Sequence, residues 1–246
     1  MLRGIWVLWT MAFHFVTYTF ARRKYRVDNK ELDRQTKQAY RAKVYEMMRE
    51  LSRRMIRAAG TELVIKGKEN LPEKGPVVYM ATHKGLFDSP IMAVLVEKDP
   101  LIFIGKDETK KMPIIGKWFD ATGSIYLVRD DMKQSLQAIL QGIDELKQGQ
   151  SVVIFPEGSR MKGPEMGTFK AGSFKLATKA NVPIVPIAIQ NSHKILEEKG
   201  WIQKTKVYVN IGKPIDVPSL TPEEKKKLPQ QVEDIVRGLL KEVTEQ

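Results

Sequence analysis

The chain of 246 residues contains no cysteine. That absence excludes disulfides, thiolate zinc sites, iron–sulfur clusters and a cysteine nucleophile. Histidine is scarce as well, with only His14, His83 and His193. Neither histidines nor carboxylates cluster along the sequence, which argues against a required metal, and no cofactor is expected. No internal repeat or low-complexity tract is present. Hydrophobic residues make up 42% and charged residues 28%, so the chain is neither disordered nor a polytopic membrane protein.

Acidic residues are in deficit, and the formal net charge is +12. The excess is uneven. Residues 1–60 hold 14 Lys and Arg against 5 Asp and Glu, whereas residues 61–246 hold 27 against 24. A basic end on a near-neutral body suggests a body docked on an anionic partner. Nucleic acid is disfavoured, because no stacking platform or reading motif accompanies the cations.

Residues 4–20 are mostly apolar and uncharged, and Arg22, Arg23, Lys24 and Arg26 follow. Arg3 alone precedes the run and no small-residue cleavage site follows it, so an uncleaved segment is expected. Seventeen residues reach about 25 Å as a helix, short of a bilayer core of about 30 Å. His14, Thr10, Thr17 and Thr19 weaken a span further. A helix in the interface fits better, with Trp6, Trp9 and Tyr18 at headgroup depth and the basic run on anionic lipid. A second helix over 30–58 carries Tyr40, Val44, Met47, Met48, Leu51 and Met55 at helical spacing. That stripe reads equally as packing against the body or the first helix. The expectation is an N-terminal two-helix membrane-anchoring motif (1–60), monotopic and on the cytoplasmic face of the cell membrane.

From residue 61 short β-branched runs alternate with helical stretches. Strands are predicted at 62–66, 77–81, 101–105, 124–128, 151–155, 184–190 and 207–212, and helices at 89–97, 113–122, 132–147, 171–180 and 222–244. Runs such as VVIF and PIVPIAI are apolar throughout and suit a sheet covered on both faces. The pattern predicts an α/β domain over 61–246, with a mainly parallel central sheet flanked by helices. Ligands in such sheets collect at the carboxyl ends of the strands. His83 and Asp88 follow one predicted strand, Lys106 a second, Arg129 a third, and Glu157, Gly158, Ser159 and Arg160 a fourth.

His83 is the strongest candidate for proton transfer near neutral pH. Asp88 lies five residues on, across a turn containing Gly85, and can fold back against the imidazole to fix its tautomer. The bland alternative makes Asp88 the N-cap of the helix that follows. Ser159 and Ser173 are candidate nucleophiles, but Ser159 lacks the flanking glycines of a nucleophile elbow. A serine esterase thus stays open beside direct attack by a substrate hydroxyl, and so does a non-enzymatic basic membrane-surface protein. The cations beside a general base suggest a phosphorylated substrate.

The ordered blocks THKGLFD (82–88), GSIYLVRD (123–130), FPEGSR (155–160) and the segment ending in VPIVPIAI (182–189) resemble the glycerolipid acyltransferase superfamily. The likeness is greatest to the bacterial enzymes that acylate 1-acylglycerol-3-phosphate. Lys84, Gly85, Ser159 and Met161 depart from the usual pattern. The resemblance implies acyl transfer from a thioester of acyl carrier protein or coenzyme A to the sn-2 hydroxyl of lysophosphatidic acid, without an acyl-enzyme. It implies His83 and Asp88 as the catalytic pair. Lys106, Arg129, Glu157, Gly158, Ser159 and Arg160 would bind substrate, with Glu157 either orienting Arg160 or meeting the glycerol. A backbone N–H near Gly158 or the His83 turn would hold the oxyanion. Glycerol-3-phosphate or another lysophospholipid is the alternative acceptor.

Overall fold

The structure, a computed structural model, describes residues 2–25, 33–97, 99–112, 114–128, 131–161, 163 and 165–244. Two helices come first, α1 (Leu2–Tyr25) and α2 (Arg34–Ala59). Asp33 caps α2, its carboxylate accepting the Thr36 N–H at 2.9 Å. Gly60 closes α2 at φ 71°, a left-handed conformation that suits glycine at a helix end.

The rest alternates strand and helix. The strands are β1 (Glu62–Lys66), β2 (Val78–Ala81), β3 (Leu101–Lys106), β4 (Ile125–Leu127), β5 (Ser151–Ile154), β6 (Ile184–Gln190) and β7 (Lys206–Ile211). The helices are α3 (Asp88–Leu95), α4 (Ile115–Thr122), α5 (Met132–Lys147), α6 (Lys175–Ala180) and α7 (Pro222–Thr244). All seven predicted strands are present, within two residues at each end. The helix predicted over 171–180 is divided. Ala171–Phe174 form a 3-10 turn before α6, in keeping with the poor helix propensity of Gly172 and Ser173. Residues 30–32 and Pro113, which open two predicted helices, lie outside the described residues.

The seven strands form one sheet in the order β1-β7-β6-β2-β5-β3-β4. Every pairing is parallel except β6 with β7. The carboxyl ends of β2, β3, β4, β5 and β6 therefore share one edge, together with the amino ends of β1 and β7.

Both faces are covered, as the unbroken apolar strands predict. Alternate residues of β2 and β5 face opposite ways: Val78, Met80, Val152 and Ile154 pack with α5, α6 and α7, while Tyr79, Ala81 and Val153 pack with α2, α3 and α4. In α2 the stripe of Val44, Leu51 and Met55 is buried, with Met47 and Met48 packed against the same cluster. The packing reading of that stripe is thus the one the fold adopts. Arg41, on its flank, pairs with Glu145 of α5 at 3.1 Å.

α1 lies outermost, against α2. Val7, Thr10 and His14 turn inward, while Leu2, Ile5, Trp6, Trp9, Phe13 and Phe20 are exposed. Trp9 stacks on Phe13 with ring centroids 5.7 Å apart. No helix among the described residues is long and apolar enough to cross a membrane.

At the opposite sheet edge, buried Asp99 accepts the Ser151 hydroxyl, whose oxygen accepts the Val77 N–H. Burial pushes the Asp99 carboxyl above its ordinary value. A carboxyl raised in the folded state stabilises that state at low pH, and the contribution fades as pH rises through the folded value. Asp99→Asn, which cannot ionise, should melt a few degrees above the parent at neutral pH and level with it below the ordinary carboxylate range. Melting curves across pH check this; a gap independent of pH removes Asp99 as its cause.

Candidate active site

The reactive edge gathers three loops because β2 lies between β5 and β6. His83 follows β2 and Thr82. The Thr82 hydroxyl donates to Ile189 C=O and accepts the Ile189 N–H, at 2.9 and 2.7 Å, tying this loop to β6. The chain then turns through Lys84 and Gly85 into α3.

His83 Nδ1 lies 2.8 Å from Asp88 Oδ2. The Asp88 side chain is 0% exposed. Its Oδ2 also accepts the N–H groups of Lys84 and Gly85, at 2.6 and 2.8 Å, and its Oδ1 accepts the Ser192 hydroxyl. Asp88 is the first residue of α3, and Phe87 occupies the cap position without a side-chain bond. The capping alternative therefore gives way to a carboxylate that folds back on its own turn. Gly85 is required here by close approach, since a Cβ would lie 2.9 Å from the His193 backbone nitrogen.

Glu157 enters from the loop after β5. Its Oε1 accepts the His83 N–H at 2.8 Å and its Oε2 the Gly167 N–H at 2.7 Å. Both oxygens thus serve backbone amides. The partner of Arg160 is Glu197, at 3.2 Å, and the same Glu197 oxygen accepts the Leu86 N–H at 2.6 Å. Glu157 therefore positions His83 and does not orient Arg160. Burial pushes its carboxyl up, opposed by those amide bonds. Lys84 is buried and donates to the carbonyls of Gly163 and Glu165, and burial pulls its ammonium down. Phe155 stacks on the His83 ring at 4.3 Å and 17°. Met161 N–H donates to His83 C=O at 2.7 Å, closing the loop over the turn.

Lys106, Gly158 and Ser173 line a cleft of about 70 Å³ at the ends of β3 and β5, with Leu127 of β4 beside them. Gly158 adopts φ 72° and its N–H donates to Phe155 C=O within the turn. The amides of His83, Lys84, Gly85 and Gly158, where an oxyanion donor was expected, are thus engaged within the protein. Ser159 and Arg160 are exposed beside this cleft. Arg129 lies outside the described residues. No group of three or more His, Asp or Glu able to hold a metal occurs among the described residues. Sequence reasoning missed Ser192 and Glu197. The polar residues directly after the apolar β6 run, Asn191-Ser192-His193, were the available signal.

A family model described as "Acyltransferase" matches residues 62–190, just over half of the chain. The chain is 28% identical over 195 residues to a protein of Borreliella burgdorferi named 1-acyl-sn-glycerol-3-phosphate acyltransferase, covering 78% of each. It is 36% identical over 154 residues to a chloroplastic protein of Arabidopsis thaliana with the same activity in its name. That match covers 61% of this chain and 43% of the plant protein, so the chain spans less than half of that relative's length. Among solved structures, the 1-acyl-sn-glycerophosphate (LPA) acyltransferase PlsC of Thermotoga maritima shares the fold, with a TM-score of 0.76 over 99% of this chain and 98% of that one. Their identity is 23%, so this likeness concerns architecture.

The four donors on Asp88 make a prediction independent of turnover. Asp88→Asn presents an amide N–H₂ to groups that are themselves donors, and should cost about 2–4 kcal/mol of stability. Urea unfolding of the variant measures it; an unchanged midpoint would mean that the carboxylate does not hold the turn together.

Proposed function

The chain belongs to the acyltransferase family, and from that premise we propose that it acylates the sn-2 hydroxyl of lysophosphatidic acid, giving phosphatidic acid. The observation that carries the reading is the His83 Nδ1–Asp88 Oδ2 contact of 2.8 Å, at the strand edge where ligands of such sheets collect. The names of the relatives support the acceptor class.

In this reading Nδ1 donates to Asp88, which leaves Nε2 as the base. Nε2 takes the proton of the sn-2 hydroxyl as its oxygen attacks the thioester carbonyl carbon. The tetrahedral intermediate collapses, the C–S bond breaks, and the thiolate leaves with the proton held by His83. Asp88 stabilises the imidazolium between the two transfers. Phe155 and Glu157 restrict the ring and its backbone, which keeps the base in line with the hydroxyl. Arg160 binds the phosphate by exchanging its bond to Glu197 for bidentate contacts, with Lys106 and Arg129 as further cations. The donor is an acyl thioester of acyl carrier protein or coenzyme A. No metal and no cofactor takes part.

The exposed apolar face of α1 supports a monotopic anchor. Trp6 and Trp9 suit headgroup depth, and the cations of residues 1–60 suit an anionic surface. Residues 1–60 then serve as anchor and 61–246 as catalytic domain, so that the acceptor is met without leaving the bilayer. The protein would sit at the cytoplasmic face of the cell membrane.

Purified full-length protein, given labelled acyl thioester and a panel of lysolipids and glycerol-3-phosphate, should yield labelled phosphatidic acid as its main product. His83→Ala should lower kcat by about 10²–10⁴-fold, the usual worth of a general base. Arg160→Ala should chiefly raise KM for the acceptor. Near-normal turnover without His83 sinks the mechanism, and covalent labelling by a fluorophosphonate favours a serine esterase instead.

A further inference from the structure

The segment joining β6 to β7 holds two features that acyl transfer leaves unused. Trp201 is 56% exposed at its tip. Beside it lies a groove of about 320 Å³ whose lining includes Lys194, Lys199, Lys204 and Lys206, with Glu198 as its only acid. The segment is internally braced: Gln203 N–H donates to Ile195 C=O, Gly200 N–H to Leu196 C=O, and Glu62 N–H to Thr205 C=O. Lys206 meets Glu62 at 3.4 Å, but both are half exposed, so little of its charge is neutralised.

Its position carries the argument. A Cβ placed on Gly4 of α1 would lie 4.0 Å from Ile202, and one on Gly60 would lie 3.0 Å from Arg3 and 3.5 Å from Lys204. Trp201 and the lysine groove thus continue the first turn of α1, where Leu2, Ile5 and Trp6 are exposed. In the other direction, Glu197 of the same segment holds Arg160 and the Leu86 N–H of the His83 turn.

We propose that Trp201 and the lysines around it form a second contact with the anionic bilayer, continuous with the first turn of α1. An indole beside a cluster of ammonium groups matches the boundary between acyl chains and anionic headgroups. An acidic soluble protein would satisfy the lysines but would leave Trp201 and the neighbouring α1 surface in water. The proposal rests on the anchoring role of α1, and it adds that the catalytic domain itself touches lipid.

The missing cysteines make the test simple. Single-cysteine variants of the full chain, Trp201→Cys, Trp9→Cys and Lys227→Cys, carry an environment-sensitive dye and are mixed with phosphatidylcholine vesicles with or without phosphatidylglycerol. Lys227 is exposed on α7, which covers the sheet face opposite α2, and serves as the silent control. The expected result is a shift to an apolar environment at positions 201 and 9 along one titration, with none at 227. Lys199→Gln with Lys204→Gln should weaken binding to the anionic vesicles about thirtyfold, from about fivefold at each of the two lysines. A response at 9 without one at 201 overturns the second contact and leaves the α1 anchor standing. No response at either position overturns both. A response at 201 to an acidic carrier protein and not to vesicles assigns the surface to that partner and overturns the proposal.

Discussion

One buried carboxylate organises the reactive edge. Asp88 gathers the His83 ring, two amides of its own turn and the hydroxyl of Ser192, which belongs to a different strand loop. A charge taken out of water is tolerated only when donors surround it, and each of these donors is thereby fixed in place. The His83 ring, the start of α3 and the segment after β6 take their relative positions from this group. Glu157 repeats the device on the other side, holding His83 by its backbone and the 157–167 loop by Gly167. Two carboxylates with opposite reach thus clamp a single histidine between strands β5 and β6.

The strand order makes this clamp possible. β2 stands between β5 and β6, so loops 74 and 104 residues away in sequence arrive beside the His83 turn. No local pattern encodes that adjacency. Close packing of the turn against the Ser192–His193 backbone also explains Gly85, a position where a side chain would collide with main chain. Two of the departures of this chain from the family's usual motif have structural roles: Lys84 ties down the loop at 163–165, and Gly85 admits the neighbouring loop.

The strands and the His83–Asp88 pair were legible in sequence because both depend on neighbours a few residues apart. Unbroken apolar runs announced a sheet buried on both faces, and a turn of five residues sufficed to bring imidazole and carboxylate together. The roles of Glu157, Ser192 and Glu197 depend on which strands adjoin, and that information is distributed over the whole core. Glu157 reads as a substrate ligand from its place in the FPEGSR block, while in the fold both its oxygens accept backbone amides. The stripe on α2 admitted two readings because a Met-rich face packs equally well on protein or lipid. Its burial in the core follows from α1 covering one side and the sheet the other.

The reversal at β7 has a further effect. It brings the amino end of β1, and with it the end of α2, to the same side of the sheet as the His83 turn. Strands of up to seven residues separate that side from the other by about 20 Å. At physiological salt this exceeds two screening lengths of about 8 Å each. Surface charge at the far edge is thus screened from the His83 turn.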